Sequence, residues 1–439
     1  MRDWLRAVEK LIIRWGIKSG ERGARVGCAL FCTRTGQWGA IDGDKLFLPA
    51  SNNKLWTTAV ALDQLGSHYR WMTQVGISHD MLTISGGGDP TFNEQDARMI
   101  AQRMWVRGMD KLPHRWIVNQ AWCNEEPWGV GWRWDDLAEG YTARIESLIM
   151  EGNRILFKAD PQGETPHLIP MQKLKTIKVT SHCMWTDGPS DMVVKRKDSA
   201  NHFHLSGKLS RKEPEIAGAV WSGAQYFLEI LRGACQQEGI QVPEYPEIRE
   251  GNITQRKGMV LKHYSPLLSQ VIQRVNRESD NLSAEILLRT LGKESRSEVC
   301  EEAGVNKVKK ILHTWGLKGP ECYVDGSGLS TYNLSSPNAL AELLHLQLQH
   351  PDFPIFLDSL SRYGQYGTLA ERASSLPAGI EVAAKTGSLA NVRTLSGYLL
   401  ENGYPIIGFS FLINGLVDEE NGEGLQDDFL HELAALSKN

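Results

Sequence analysis

No run of about 18 apolar residues occurs anywhere in this chain of 439 residues, so it contains no helix long and apolar enough to span a bilayer. Positive charge is not in excess either. Lys and Arg number 48 against 52 Asp and Glu, a formal net charge of -4, and the basic residues are scattered instead of forming a stripe. Nucleic acid is therefore set aside as a partner. The seven cysteines are odd in number and widely spaced, which excludes a disulfide scaffold and fixes no redox compartment. Cys28 and Cys32 lie four apart on an expected strand and read as buried thiols on one side of it. For metal ligands the chain offers Ser181-His182-Cys183 and His202-Phe203-His204, with no second pair at zinc-finger spacing, so neither a metal nor a cofactor is expected. Residues 1–16 lack the continuous apolar stretch of an export signal. Trp4, Leu5, Val8, Leu11, Ile12 and Trp15 instead recur at helical spacing among charges, the pattern of an amphipathic helix that packs on the protein's own sheet.

What is present is an ordinary core-forming composition, 41% hydrophobic and 23% charged, over a length that suits two or three domains. Segments 26–32 and 38–41 flank Thr35-Gly36 and predict a hairpin, and a helical pattern runs from Ser51 to Leu65. At the other end, 381–385, 395–400 and 406–413 predict strands, followed by a helix over 425–436. Strands from both ends of the chain most economically share one antiparallel sheet covered by the terminal helices. Helices are predicted over 265–277, 282–291, 295–315 and 337–348, forming a helical lobe. Between about 78 and 254 the pattern changes to short strands, at 81–85, 116–118, 154–158, 176–179 and 193–195. The fold class expected is α+β, with an antiparallel sheet and a helical lobe interrupted by a β-rich insertion.

Three short motifs stand in order: Ser51-Asn52-Asn53-Lys54, Ser279-Asp280-Asn281 and Lys385-Thr386-Gly387. By composition a lone Ser-x-x-Lys arises by chance roughly once or twice in such a chain, and each of the other two on the order of 0.1 times. Taken singly, Ser51 reads as a helix cap, Asn281 as a cap or surface residue, and Lys385 as a solvated strand residue. Their joint order is the signature of serine acyl-transfer enzymes that react with penicillin. A serine hydroxyl needs a base, and Lys54, one helical turn along, is within reach of Ser51. Burial and a second cation, Lys385, would depress Lys54, so Lys54 is expected to be neutral in the free enzyme. The backbone N–H groups of Ser51 and Ser388 would hold an oxyanion. Ser279 would relay a proton to the leaving amine, and Asn281 would position Lys54 and a substrate carbonyl. Lys385 and Thr386 would hold a terminal carboxylate, and Gly387 would allow close approach to the strand.

Further blocks accompany these motifs: Ser85-Gly86-Gly87-Gly88-Asp89-Pro90-Thr91, Gly131-Trp132-Arg133-Trp134-Asp135-Asp136, His263-Tyr264-Ser265-Pro266, Asp325-Gly326-Ser327-Gly328-Leu329-Ser330 and Gly367-Thr368-Leu369. With them the sequence, from about residue 26 to 413, resembles the class C low-molecular-mass penicillin-binding proteins, the D-alanyl-D-alanine carboxypeptidases and endopeptidases of the penicillin-binding protein 4 type. The resemblance implies a penicillin-binding/β-lactamase-like catalytic domain over 1–77 and 255–439, an inserted domain over 78–150 and 226–254, and a second nested within it over 151–225. It implies peptidoglycan stem peptides as substrate, acylation of Ser51 by β-lactam antibiotics, and work in the periplasm or cell envelope. It also implies that Asp136 and Tyr141 read the stem-peptide side chain, with Thr331 standing where relatives often carry a basic residue. Two other readings of the motifs are a β-lactamase and a binding protein without turnover. The oligomeric state is not legible in the sequence.

Overall fold

The computed structural model describes all residues except 124, 173, 198, 252–257, 294–300, 373–375 and 438–439. The two ends of the chain meet in one antiparallel sheet. Its strands run in the order Ser361–Arg362, Ile380–Leu389, Val392–Glu401, Tyr404–Asn414, Arg25–Cys32 and Trp38–Ile41. The first strand of the chain pairs with the last, Arg25 opposite Asn414 and Cys32 opposite Ile407. The tight connection between Val392–Glu401 and Tyr404–Asn414 has both Asn402 and Gly403 at positive φ, the turn that matches the twist of a hairpin.

Both faces of this sheet are covered, so its strands are apolar at successive positions instead of alternating. Cys28 and Leu30 point to one side, with Val8 and Leu11 of helix Arg2–Ser19 and Phe429 and Leu433 of helix Glu419–Leu436. Phe411 stacks on Phe429 at 4.3 Å there. Ala29 and Phe31 point to the other side, into a core shared with Trp56, Val271, Leu287 and Leu340. That core belongs to helices Lys54–Leu65, Leu268–Arg277, Asn281–Lys293, Glu301–Thr314 and Pro337–Gln347. The expected helix over 295–315 is found from Glu301 onward, and its first residues, with the expected boundary at 254/255, lie outside the described residues. The C-terminal helix begins six residues earlier than expected, capped by Asp418.

The middle of the chain forms further sheets. One runs Glu247–Glu250, Arg115–Asn119, Met81–Ser85, Met72–Ile77, Met259–Tyr264. Two three-stranded sheets follow, Lys178–Thr186, His202–Ser210, Asp191–Arg196 and Glu215–Ala219, Arg154–Lys158, Ile169–Pro170. This region carries two helices that the strand-like pattern did not predict, Glu94–Val106 and Gly223–Gln237, which bury Ile100, Met104, Phe227 and Leu231 against the five-stranded sheet. The paired strands Met72–Ile77 and Met259–Tyr264 mark where the chain leaves the helical lobe and returns to it.

Candidate active site

Ser51 sits in a single 3₁₀ turn, Ala50–Asn53, just before helix Lys54–Leu65, not within the α-helix as the periodicity predicts. Ala50 is held at φ 47°, a left-handed conformation that a non-glycine residue adopts only when its surroundings impose it. Three hydrogen bonds impose it here. Asn52 Nδ2 donates to the Lys385 carbonyl at 2.9 Å, Asn53 Nδ2 to the Asp325 carbonyl at 2.8 Å, and Thr394 Oγ1 to the Pro49 carbonyl at 2.8 Å. The turn that carries Ser51 is thus slung between the edge of the large sheet and the loop that begins at Asp325.

Lys54 is fully buried. Its ammonium donates to Ser51 Oγ at 2.8 Å, Asn281 Oδ1 at 2.6 Å and the Ser327 carbonyl at 2.6 Å. Asn281 is oriented by its other end, where Nδ2 donates to the Tyr141 carbonyl at 2.8 Å. The middle residue of that motif explains the spacing. Asp280 accepts from Ser283 N at the start of helix Asn281–Lys293 and pairs with Arg274 at 2.6 Å, an N-cap that sends Ser279 and Asn281 the other way, into the cleft. Ser279 has φ 58°. Its hydroxyl accepts from Lys385 Nζ at 3.0 Å, and Lys385, also fully buried, donates to the Thr386 carbonyl at 2.8 Å.

Burial pushes Lys54 down to about 8, while Asp325, Glu285 and Asp280 resist the fall. Lys385 is driven well below the ordinary lysine range, by burial first and then by the charge of Lys54. The expectation that Lys385 is the cation depressing Lys54 is therefore reversed. Two ammonium groups in one low-dielectric site repel, and the proton stays on the one surrounded by carboxylates. Lowered only to about 8, Lys54 still favours its proton at neutral pH in the empty site, against the expectation of a neutral Lys54.

The cleft in front of these groups holds about 630 Å³ and is lined by Ser51, Ser279, Asn281, Thr386, Gly387, Ser388, Asp136 and Tyr141. Lys54 and Lys385 lie directly behind its wall. Strand Ser361–Arg362 pairs with Ile380–Leu389 only at Ala383 and Ala384, so the stretch 385–389 turns an unpaired edge to the cleft. Gly387 lies against the turn that carries Ser51, and a Cβ there would come 2.2 Å from Thr394 Oγ1 and 2.9 Å from Ser51 N. We predict that Gly387→Ala pushes the turn off the strand and lowers acylation of Ser51 by about 100-fold; a near wild-type acylation rate would refute this.

Several cleft residues were not singled out from sequence. Thr368, whose hydroxyl is 2.6 Å from that of Thr386, stood in a noted block but had no assigned role, as did Trp132 and Arg133. Trp132, Arg133, Arg372, Arg393, Glu419 and Glu423 also line the cleft. The last four are joined at its floor by ion pairs and hydrogen bonds, such as Arg393 to Glu423 at 3.0 Å and Arg372 to the Glu423 carbonyl at 2.9 Å. No local pattern announces such links between distant segments. Thr331 lines the cleft where a basic residue would alter its charge.

The D-Ala-D-Ala carboxypeptidase 3 (S13) family model matches residues 22–435. The D-alanyl-D-alanine carboxypeptidase DacB of Haemophilus influenzae is 24% identical over 402 residues, covering 85% of this chain and 82% of that protein. The D-alanyl-D-alanine carboxypeptidase of an Actinomadura species is 26% identical over 408 residues, covering 86% and 75%. The crystal structure of penicillin binding protein 4 from Haemophilus influenzae superposes with a TM-score of 0.78 at 23% identity, over 94% of this chain and 96% of that one. The fold is therefore of that type, and because the family model spans nearly the whole chain, this protein belongs to the D-Ala-D-Ala carboxypeptidase 3 (S13) family.

Proposed function

We propose that Ser51 is the nucleophile of this serine DD-peptidase, which removes the terminal D-Ala of peptidoglycan stem peptides through an acyl-enzyme and opens D-Ala cross-links by the same route. One observation carries this assignment: a fully buried Lys54 amine bridges the Ser51 hydroxyl and the Asn281 amide. Free-base Lys54 takes the proton of Ser51 Oγ as the oxygen attacks the penultimate D-Ala carbonyl. The N–H groups of Ser51 and Ser388 stabilise the oxyanion. The C–N bond breaks as the leaving amine takes a proton from Ser279 Oγ, which Lys385 replenishes. Thr386 and Thr368 hydroxyls, in the field of Lys385, hold the terminal carboxylate. Once the amine has left, Lys54 passes the Ser51 proton to Lys385, which regains the one it gave; free-base Lys54 then takes a proton from the water that attacks the acyl carbonyl and returns it to Ser51 Oγ as the acyl–oxygen bond breaks.

The peptide lies along the free edge at 385–389, with its side chain toward Asp136 and Tyr141, where a carboxylate suits the ammonium end of a diamino acid. β-Lactams acylate the same serine. A crystal structure of the Haemophilus protein in complex with a β-lactam has a TM-score of 0.73 to this chain. The reading assigns work to the cell envelope, in the periplasm, and no helix among the described residues is long and apolar enough to cross a membrane. For the domains, the proposed limits are a catalytic unit over 1–71 and 265–439, with the insertion beginning at Met72 and ending at Tyr264, where its first and last strands pair. The nested unit spans the two three-stranded sheets.

Incubation with penicillin followed by mass measurement of the Ser51 peptide tests the reading. A persistent adduct on Ser51 is expected. Rapid loss of the adduct would point to a β-lactamase, and no adduct would refute the catalytic reading. Product analysis on a cross-linked muropeptide then separates free D-Ala release from cross-link opening.

A further inference from the structure

Asp325 is fully buried behind the cleft, and its carboxylate accepts five hydrogen bonds. One carboxylate oxygen accepts from Gly328 N at 2.8 Å and Asn333 Nδ2 at 2.8 Å. The other accepts from Ser330 N at 2.7 Å, Ser327 Oγ at 3.3 Å and Trp132 Nε1 at 3.0 Å. Its backbone carbonyl accepts from Asn53 in the nucleophile turn. The loop 325–330 is folded around this single side chain.

What the loop delivers is a backbone oxygen. The Ser327 carbonyl accepts from Lys54 Nζ at 2.6 Å, and the Ser327 N–H donates to Glu285 Oε1 at 2.8 Å. The backbone of Ser327 is thereby fixed on both sides of its Cα. The next residue, Gly328, has φ +85°, and a Cβ on it would lie 1.9 Å from the Ala50 carbonyl, so the loop is packed hard against the turn that carries Ser51. Trp132 belongs to the inserted unit, four residues before Asp136. Its ring nitrogen reaches across to Asp325, as the Tyr141 carbonyl reaches across to Asn281. Both hydrogen bonds join the segment proposed to read the peptide side chain to the groups that hold the base.

We propose that Asp325 is the positioning residue of the general base: it holds the Ser327 carbonyl on Lys54, and through Trp132 it ties that base to the inserted segment bearing Asp136 and Tyr141. The inference rests on the assignment of Ser51 and Lys54 made above. A network of this kind acts on catalysis through geometry and charge, because an ammonium held by three acceptors has one orientation toward its serine. The charged groups facing Lys54 are Asp280 and Glu285 at the start of helix Asn281–Lys293, Asp325 in its loop, and Lys385 on the sheet edge. Removing the Asp325 charge takes away one of the carboxylates that keep the proton on Lys54.

The test compares wild type, Asp325→Asn and Trp132→Phe in acylation by penicillin and in peptide hydrolysis, across pH 5 to 10. Wild-type acylation at Ser51 is the control; without it the functional reading itself fails, whatever the variants do. Asp325→Asn is expected to lower the limiting acylation rate about 100-fold and to move the acid limb of the profile to lower pH by about one unit. A loss of rate with an unmoved limb would mean a structural role alone and would overturn the proposal, as would an unchanged rate. Trp132→Phe keeps the ring and removes only the donor, which keeps the inference testable if Asp325→Asn does not fold. It is expected to slow acylation by penicillin and by peptide by the same factor, about 5-fold. A rise in peptide KM with penicillin acylation unchanged would make Trp132 a mere cleft wall and overturn the link to the insertion.

Discussion

Lys54→Met is expected to lower the rate of Ser51 acylation by about 10³-fold to 10⁴-fold, the upper range for loss of a positioned general base. The pH dependence follows from the same group. Lys54 is lowered to about 8, and only its free base accepts the Ser51 proton, so log(k2/K) for acylation should rise about one unit per pH unit below pH 8 and flatten above it. The variant should lose that limb while its slow residual rate stays flat. A wild-type profile that climbed to the ordinary lysine range would show that burial does not depress Lys54 and would sink the assignment. Substrate charge should shift the limb. A carboxylate docked at Thr386 places negative charge beside Lys385, which then holds a proton more readily, and the new cation drives the proton off Lys54. A stem peptide ending in a carboxamide should therefore show its acid limb at higher pH than the same peptide ending in a free acid, as measured from kcat against pH, which reports the groups of the substrate complex.

The three motifs made the proposed reacting groups legible because each contributes a side chain whose chemistry names it. The pairing of the chain ends was equally legible, since apolar strands at both termini have few other places to go. The polarity of the lysine pair was not. Spacing brings Lys54 and Lys385 together, but it says nothing of Asp325 and Glu285 behind Lys54, and those carboxylates decide which amine keeps the proton. The Ser327 carbonyl was invisible for a simpler reason: every residue has one, so a backbone acceptor leaves no mark on sequence. Helix Glu94–Val106 was missed although its cap was written out, with Asn93 accepting from Asp96 N and Asp96 accepting from Asn93 N. Its apolar stripe of Ala97, Ile100, Ala101 and Met104 is too weakly hydrophobic to stand out among the charges between them.

Arg289 carries the second large expected effect. Glu285 and Arg289 stand four apart on a helix, a pair worth only a few tenths of a kcal/mol on an exposed face. Both are fully buried, with Arg289 Nη1 donating to Glu285 Oε2 at 3.1 Å and Nη2 lying 3.7 Å from Glu301. Burial opposes the Arg289 charge, and the two glutamates overcome it. Glu285 is raised by burial and then by Asp325, so without the guanidinium it would face another carboxylate in a dry site. We predict that Arg289→Met destabilises the protein by about 3–5 kcal/mol, read from denaturant unfolding at pH 8. A carboxylate whose folded pKa lies above its unfolded value binds its proton more tightly when folded, so its penalty is greatest at high pH and fades as pH falls through that raised value. The deficit of Arg289→Met should accordingly shrink toward pH 5. Adding Glu285→Gln, which keeps an acceptor for the Ser327 N–H, should recover part of it at pH 8. A single variant within about 1 kcal/mol of wild type at pH 8 would mean that Glu285 does not depend on Arg289, and would remove the buried charge network from beneath Lys54.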